Sequence, residues 1–357
     1  MSEAFTTTGL LMAATTSVTN VAKDIAGKKV VDQHELVAST FWIRFFAAVV
    51  FAGALLVRIA MYGPPTVRPD DAFLFGVPGW QLAPLPTYFV YLLIEVSLIV
   101  CSTLLFFRAM QVSPISLCMP YVSFTPVFLL VTGRIINHET ISQAAMVGVL
   151  LIFVGSMVMH RALWSNGWLE PIKAIYRERG CLYMLIAGFI MAITNPIDKK
   201  LVTMTDAFTQ GCGFGVGMAI FFGALALIRR ADVGTVIRST PSWCVIAGTG
   251  EAIALLFQLM SHNYIQVVIT ISIKRAGIIL TVLLGWLVFK ERGIGDKLIA
   301  ASVMLAGVLI IYLKLDVLAS LGLAGAALLA MALALYLTRH QAQAINEVKA
   351  ETTTAES

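Results

Sequence analysis

Lys274 and Arg275 stand side by side within the apolar run 265–289. A cation at the centre of a spanning helix costs roughly 2.5–3.5 kcal/mol to insert, while a Leu or Ile returns about 0.3–0.6. The run can carry the pair only if both side chains avoid lipid. Adjacent helical residues lie about 100° apart, so both can reach one interior cavity. There the arginine fork would grip a carboxylate or phosphate, and the lysine would add a point charge. The competing reading is an internal ion pair, Arg275 or Lys274 against Glu251 or Glu95, that locks the bundle.

Two acidic residues lie at similar depths in other apolar runs. Glu95 and Ser102 are seven apart, as are Glu251 and Gln258, with His262 four further on; such steps share a helical face. A carboxyl taken out of water can hold a proton near neutrality. Glu95, Glu251 and His262 are therefore proton-coupling candidates, set against a purely structural role as counter-charges or hydrogen-bonded helix residues. Asn20 with Lys23, and Asn195 with Asp198 and Lys199, close two further runs. Pro196 would break the second of these and free carbonyls for a ligand or a gate; capping is the alternative. The expected substrate contacts are Lys274, Arg275, Tyr121 and Gln258 in a central cavity, with Asn20 and Asn195 near its gates and Arg44 facing it. Arg108 is expected to snorkel to the interface.

The elements that must hold these residues are membrane spans. With 59% hydrophobic and 13% charged residues and a mean hydropathy of +0.86, the chain departs from soluble domains, which are roughly 45–50% apolar and about 25% charged. Nineteen-residue windows predict spans over 8–26, 38–61, 87–108, 114–135, 141–161, 180–200, 206–229, 242–263, 265–289, 296–314 and 317–337. The first is weak, being rich in Thr and Ser. Residues 338–357 read as a polar, disordered tail. The fold expected is an all-α polytopic membrane protein, multi-pass in a cell membrane, the bacterial inner membrane in particular.

The runs repeat. Gly133, Glu139 and Gly155 recur 152 positions later as Gly285, Glu291 and Gly307, and Thr19-Asn20 echoes Thr194-Asn195. Five spans (8–161) then pair with five (180–314), leaving 317–337 as an extra helix. A unit with an odd number of spans enters the membrane inverted in its second copy, the arrangement used for alternating access. One set of alternate loops holds Lys28, Lys29, Arg161, Lys173, Arg177, Arg179, Arg229, Arg230, Arg238, Lys290, Arg292 and Lys297. The other holds Arg58, Arg68, Arg134, Lys199, Lys200 and Lys314. The positive-inside rule puts the first set in the cytoplasm and the N-terminus outside.

Ala109-Met-Gln-Val-Ser-Pro-Ile-Ser, Phe124-Thr-Pro-Val-Phe128, His138-Glu139, Gly148 and Gly155 resemble the EamA-like branch of the drug/metabolite transporter superfamily. The second copy departs, with Ile278 in the place of Pro126 and Lys290 before Glu291. The resemblance spans 9–314 and implies ten helices in two inverted halves that move small metabolites, with the N-terminus in the cytoplasm, against the loop charges. Arg44 falls where many members carry an arginine. The Lys274-Arg275 step is similar to that of the superfamily's triose-phosphate translocators, where such a pair grips phosphate. Val122 and Ser123 occupy the matching positions of the first copy, so the cations are on one side of the repeat.

The function expected is secondary-active transport of an anionic or zwitterionic metabolite, without cofactor or metal, coupled to a proton or counter-anion, by a monomer or homodimer in the lipid bilayer. The chain is not expected to be an enzyme: there is no G-x-x-x-x-G-K-[ST], catalytic-triad spacing or metal-ligand spacing. The five cysteines are single, without C-x-x-C, and are expected to be buried small residues. The net charge of +5 is spread over span ends, which argues against nucleic acid. The runner-up classes are a membrane-embedded enzyme acting on lipid-linked intermediates, which would need larger loops, and a sensor subunit, which would need an output domain.

Overall fold

The computed structural model describes residues 3–31, 33–69, 83–113, 118–158, 170–277 and 295–334. Its regular elements are helices: α1 (Glu3–Val31), α2 (Leu36–Tyr62), α3 (Pro84–Val112), a 3-10 segment (Met119–Phe124), α4 (Thr125–Asn137), α5 (Gln143–Val158), α6 (Glu170–Arg177), α7 (Arg179–Met204), α8 (Ala207–Arg229), α9 (Val233–Ser239), α10 (Pro241–Ser261), α11 (Val267–Ala276) and α12 (Gly295–Leu313). A last helix, α13 (Val317–Ala334), completes the set. Among the described residues six helices are long and apolar enough to cross a membrane: α2, α3, α7, α8, α10 and α13; α5 and most of α12 are shorter apolar helices. The chain is a multi-pass, all-α membrane protein. The second part of the expected span 265–289, with Gly285, lies outside the described residues, as do Lys290, Glu291 and Arg292 and the tail 338–357.

Two predicted spans differ from what is observed. The polar first run forms a helix longer than 8–26. Its hydroxyls fold back onto the preceding turn: Thr15 Oγ1 donates to Leu11 O (2.9 Å), Thr16 Oγ1 to Met12 O (3.1 Å) and Thr19 Oγ1 to Thr15 O (2.9 Å). Polar groups satisfied within their own helix do not oppose burial. The span 114–135 is not one α-helix, because Pro120 and Pro126 lack the amide hydrogens an α-helical entry would use. A 3-10 segment leads into α4 instead.

Helix packing comes in matched pairs. α1 lies along α10 as α3 lies along α7; α2 meets α8, and α5 meets α12. The α5–α12 contact is made by glycine. A Cβ on Gly148 would come within 2.8 Å of Gly307 O, and one on Gly307 within 2.7 Å of Gly148 O. Small residues at facing positions let backbones touch, the main source of helix association where lipid replaces water. α13 packs outside this pair through Ala324, against Leu151, Val303 and Ile310.

Among the described residues, the two alternate loop sets lie at opposite ends of the helices that they join. At one end Ser113 Oγ donates to Glu178 Oε2 (2.9 Å) and Trp42 Nε1 to Val233 O (2.7 Å). At the other, Arg58 Nε lies 3.2 Å from Asp206 Oδ2 and Arg68 N donates to Met204 O (2.7 Å).

Glu139 fixes the helix that carries Lys274. Lys199 Nζ donates to its Oε1 (2.7 Å), and the Val267 amide reaches its Oε1 and Oε2 at 3.2 and 3.1 Å. The sequence suggests that Glu139 serves the dipole of the helix it precedes. Its bonds instead run to the first amide of α11, where a carboxylate complements an exposed helix N-terminus. Breaking a buried ion pair from one side costs about 3–5 kcal/mol. We expect Glu139→Ala to lower the melting temperature of the purified protein more than Glu139→Gln does. Melting of Glu139→Ala at the wild-type temperature would refute the clamp.

Candidate transport site

α7 is the element on which the polar interior is assembled. Pro196 has no amide hydrogen, so the Ala192 carbonyl loses its helical donor. Thr132 Oγ1 of α4 supplies one at 2.6 Å, and Asn137 Nδ2 donates to Pro196 O (3.0 Å). The carbonyl that Pro196 frees is thus bonded to α4, where the sequence suggested it would be open to a ligand or gate. On either side of the proline, α7 presents Asn195 to one polar cluster and Asp198 to another.

The first cluster joins α7, α10 and α11. Lys274 Nζ donates to Gln258 Oε1 (2.8 Å), and Gln258 Nε2 donates to Asn195 Oδ1 (3.2 Å). Asn195 Nδ2 turns back to Met191 O in its own helix. A primary amide has an acceptor and a donor end, and Gln258 uses them to relay between a cation and Asn195. Gln258 is buried and Lys274 half-buried; Arg275 follows on α11, also half-buried. His262, at the end of α10, is 1% exposed, and neither ring nitrogen has a hydrogen-bond partner. Lys199 and Lys274 are both within electrostatic range of it.

The second cluster joins α3, α7 and α8. Gln210 Nε2 donates to Glu95 Oε2 (2.7 Å) and lies 3.4 Å from Asp198 Oδ1. Tyr88 hydroxyl donates to Gln210 Oε1 (3.3 Å). Glu95 and Gln210 are fully buried and Asp198 nearly so. Glu95 Oε1 has no hydrogen-bond partner. Two carboxyls are thus held by one amide, and the charge of Lys274 is within electrostatic range of Asp198.

Of the sequence candidates, Lys274, Gln258 and Asn195 meet. Glu251 does not pair with Lys274 or Arg275; its Oε1 bonds to Arg44 Nη1, tying α10 to α2. Arg44 reaches Glu251 because α2 and α10 lie side by side. Glu95 likewise turns to Gln210 rather than to a cation. Asn20 Nδ2 donates to Thr16 O (2.9 Å) in α1. Tyr121 lies in a separate buried cluster with Cys118, Cys181 and Met184, its ring stacked on Phe124 at 6.2 Å. Ser123, at the position matching Arg275, faces Ser156 Oγ at 2.5 Å. Gln210 and Thr132 join these sites without having been among the candidates. Gln210 sits one helical turn beyond the N-cap Asp206 in an otherwise apolar helix, which is a readable signal. Thr132 has no local one, since it acts on a carbonyl 60 residues away.

The EamA-like transporter family model matches residues 7–161 and 178–313. The chain belongs to the EamA-like transporter family. Within that family of membrane transporters, a curated relative is the "Probable 4-amino-4-deoxy-L-arabinose-phosphoundecaprenol flippase subunit ArnE" of Enterobacter sp. (strain 638). It is 35% identical over 69 residues, which are 19% of this chain and 64% of the relative. A solved crystal structure of a protein superposes on this EamA-like chain with a TM-score of 0.63 at 13% identity, covering 86% of this chain and 97% of the other. That likeness concerns the fold alone.

Removing the Thr132 hydroxyl would leave the Ala192 carbonyl buried without a donor, at a cost of about 1–3 kcal/mol. Thr132→Val is expected to lower the melting temperature and Thr132→Ser to retain it. Equal losses in the two variants would assign the role of Thr132 to its methyl group.

Proposed function

We propose that this protein is a secondary-active transporter that moves a small carboxylate- or phosphate-bearing metabolite by alternating access. The observation that carries this reading is the Lys274–Gln258–Asn195 relay, in which the Gln258 amide joins a cation on α11 to α10 and α7. An incoming anion can take the Lys274 ammonium from Gln258 with a stronger, charge-assisted bond. Gln258 then loses its hold, and α7, α10 and α11 are free to settle differently. Arg275 and the single N–H of a neutral His262 ring supply further donors for such a ligand.

The exchange of packing partners between α1–α10 and α3–α7 supports two inverted halves, 8–161 and 180–314, with 317–337 outside them. Such a pair of halves opens to either side by rocking about a fixed site. The relative's name, a flippase subunit for a phosphate-linked undecaprenol lipid, favours a second reading in which the anion is a lipid phosphate and a partner subunit is present. The bacterial inner membrane suits both readings. By the positive-inside rule, the end bearing Lys29, Arg229, Arg230 and Arg238 is cytoplasmic.

The Glu95–Gln210–Asp198 cluster is the candidate for coupling. Asp198 is one turn from Asn195 on α7, so a proton gained or lost there alters the bonds that hold the helix carrying the relay.

A ligand that binds only the native state raises the melting temperature by mass action. Purified wild type, Lys274→Gln and Arg275→Gln are to be melted with organic anions, phosphate esters, amino acids, sugars and cations. Anions are expected to stabilise the wild type and to lose at least ten times in affinity against Lys274→Gln. Undiminished anion shifts in both variants would sink the proposal. For an anion so identified, Glu95→Gln liposomes are expected to keep exchange but lose accumulation driven by a pH gradient. Unchanged accumulation would remove Glu95 from coupling.

A further inference from the structure

α2 and α8 cross with their apolar faces turned outward, and between them runs a groove of about 990 Å³. Phe45, Val49 and Ala52 line one wall; Val216, Ile220 and Leu227 line the other. Phe45, Val49, Val216, Ile220 and Leu227 are exposed, which on a spanning bundle means facing lipid. The groove lies on the outer surface, away from the relay.

Its length and its charge point to one occupant. The lining runs from Phe41 to Ala52 on α2 and from Val216 to Leu227 on α8. Eleven steps of 1.5 Å make about 16 Å, against about 15 Å for half of a 30 Å hydrocarbon core. The groove thus spans one leaflet and stops near the bilayer centre. At its other end α8 terminates at Arg229, and Arg230, in the left-handed conformation at φ 51°, turns the chain back. Arg230 lines the groove mouth. Arg229 and Arg230 are exposed, and among the described residues neither makes an ion pair. The same end carries two interfacial tryptophans: Trp42, bonded to Val233 O, and Trp243, under Lys29 Nζ at 5.9 Å from the ring centroid. Tryptophans collect at headgroup depth, which puts the arginines level with lipid phosphates.

We propose that this groove is a binding site for an anionic glycerophospholipid, one acyl chain lying between α2 and α8 and the headgroup phosphate held by Arg229 and Arg230. A lipid fixed there would brace α2 against α8, one of the contacts across which the proposed halves meet. It is a site for a bilayer lipid, independent of the transported substrate.

The test uses the full-length protein in detergent, stripped of lipid and then supplied with dioleoylphosphatidylglycerol or dioleoylphosphatidylcholine. Retained lipid is counted by native mass spectrometry, and melting is followed in parallel. A basic residue near an anionic headgroup contributes about fivefold in affinity, so two contribute about 30-fold. The wild type is expected to prefer phosphatidylglycerol by that order, and Arg229→Gln with Arg230→Gln to bring the two lipids near parity. Ala224→Phe, at an exposed position of the groove wall, is expected to weaken retention of both lipids. Neither change touches the buried core, so unchanged melting of the stripped protein separates lost binding from lost folding. Equal affinity for the two lipids in the wild type would overturn the proposal. So would a charge preference that survives in the arginine variants, or cross-linking in bilayers that finds a second copy of the chain seated in the groove.

Discussion

In hydrocarbon a backbone carbonyl without a donor has no water to turn to. Pro196 creates such a carbonyl in the middle of α7, and the Thr132 hydroxyl answers it from α4. The polar interior depends on that repair. It keeps α7 bonded across the proline, with Asn195 and Asp198, three residues apart, serving two different clusters. Asn137 holds the Pro196 carbonyl from the same helix, so α4 grips α7 on both sides of the lost bond. A helix with a break that is fully bonded is held in place, yet only by side-chain bonds that can be exchanged.

The clusters on either side of the proline differ in what they ask of their surroundings. The Lys274 relay uses neutral amides against a cation and is open to competition from any anion that can reach it. The Glu95 cluster sets two carboxyls around one amide, with Tyr88 fixing that amide's other end. Arg44 and Glu251, by contrast, satisfy each other between α2 and α10. The competing reading of the sequence paired Arg275 or Lys274 with Glu251 or Glu95. Glu251 instead pairs with Arg44, Glu95 bonds to Gln210, and the Lys274 relay and the Glu95 cluster are each joined through an amide whose bonds a ligand or proton can alter.

The fold was largely legible because long apolar runs have few ways of being anything but spans, and window hydropathy reads them directly. Where it misread, local chemistry was responsible. The first run, weak as a span for its Thr and Ser, is a helix longer than its window because those hydroxyls bond within it, and the prolines of the fourth run turned its start into a 3-10 segment. Of the site, Lys274, Gln258 and Asn195 were legible because charged and amide residues are costly in lipid and so stand out. Their partners were not. Gln210 belongs to α8 and Glu95 to α3, 115 residues earlier. Nothing in the periodicity of either helix says that they will touch. Tyr121 was expected in the central cavity, whereas its ring fills a hydrophobic cluster with Cys118 and Cys181.

The carboxylate of Glu139 belongs to the earlier part of the chain, but the helix it caps belongs to the later part. Lys199, its ion-pair partner, lies between the two in sequence. Neither portion is therefore self-sufficient: the first, alone, would carry a buried acid with no counter-charge, and the second a helix with a bare N-terminus. Severed at the connection between α5 and α7, the two pieces would each display the complement of what the other lacks. A polypeptide with only one of them could reach this architecture by recruiting another chain to supply the missing valence, which makes association a requirement of folding rather than an event that follows it.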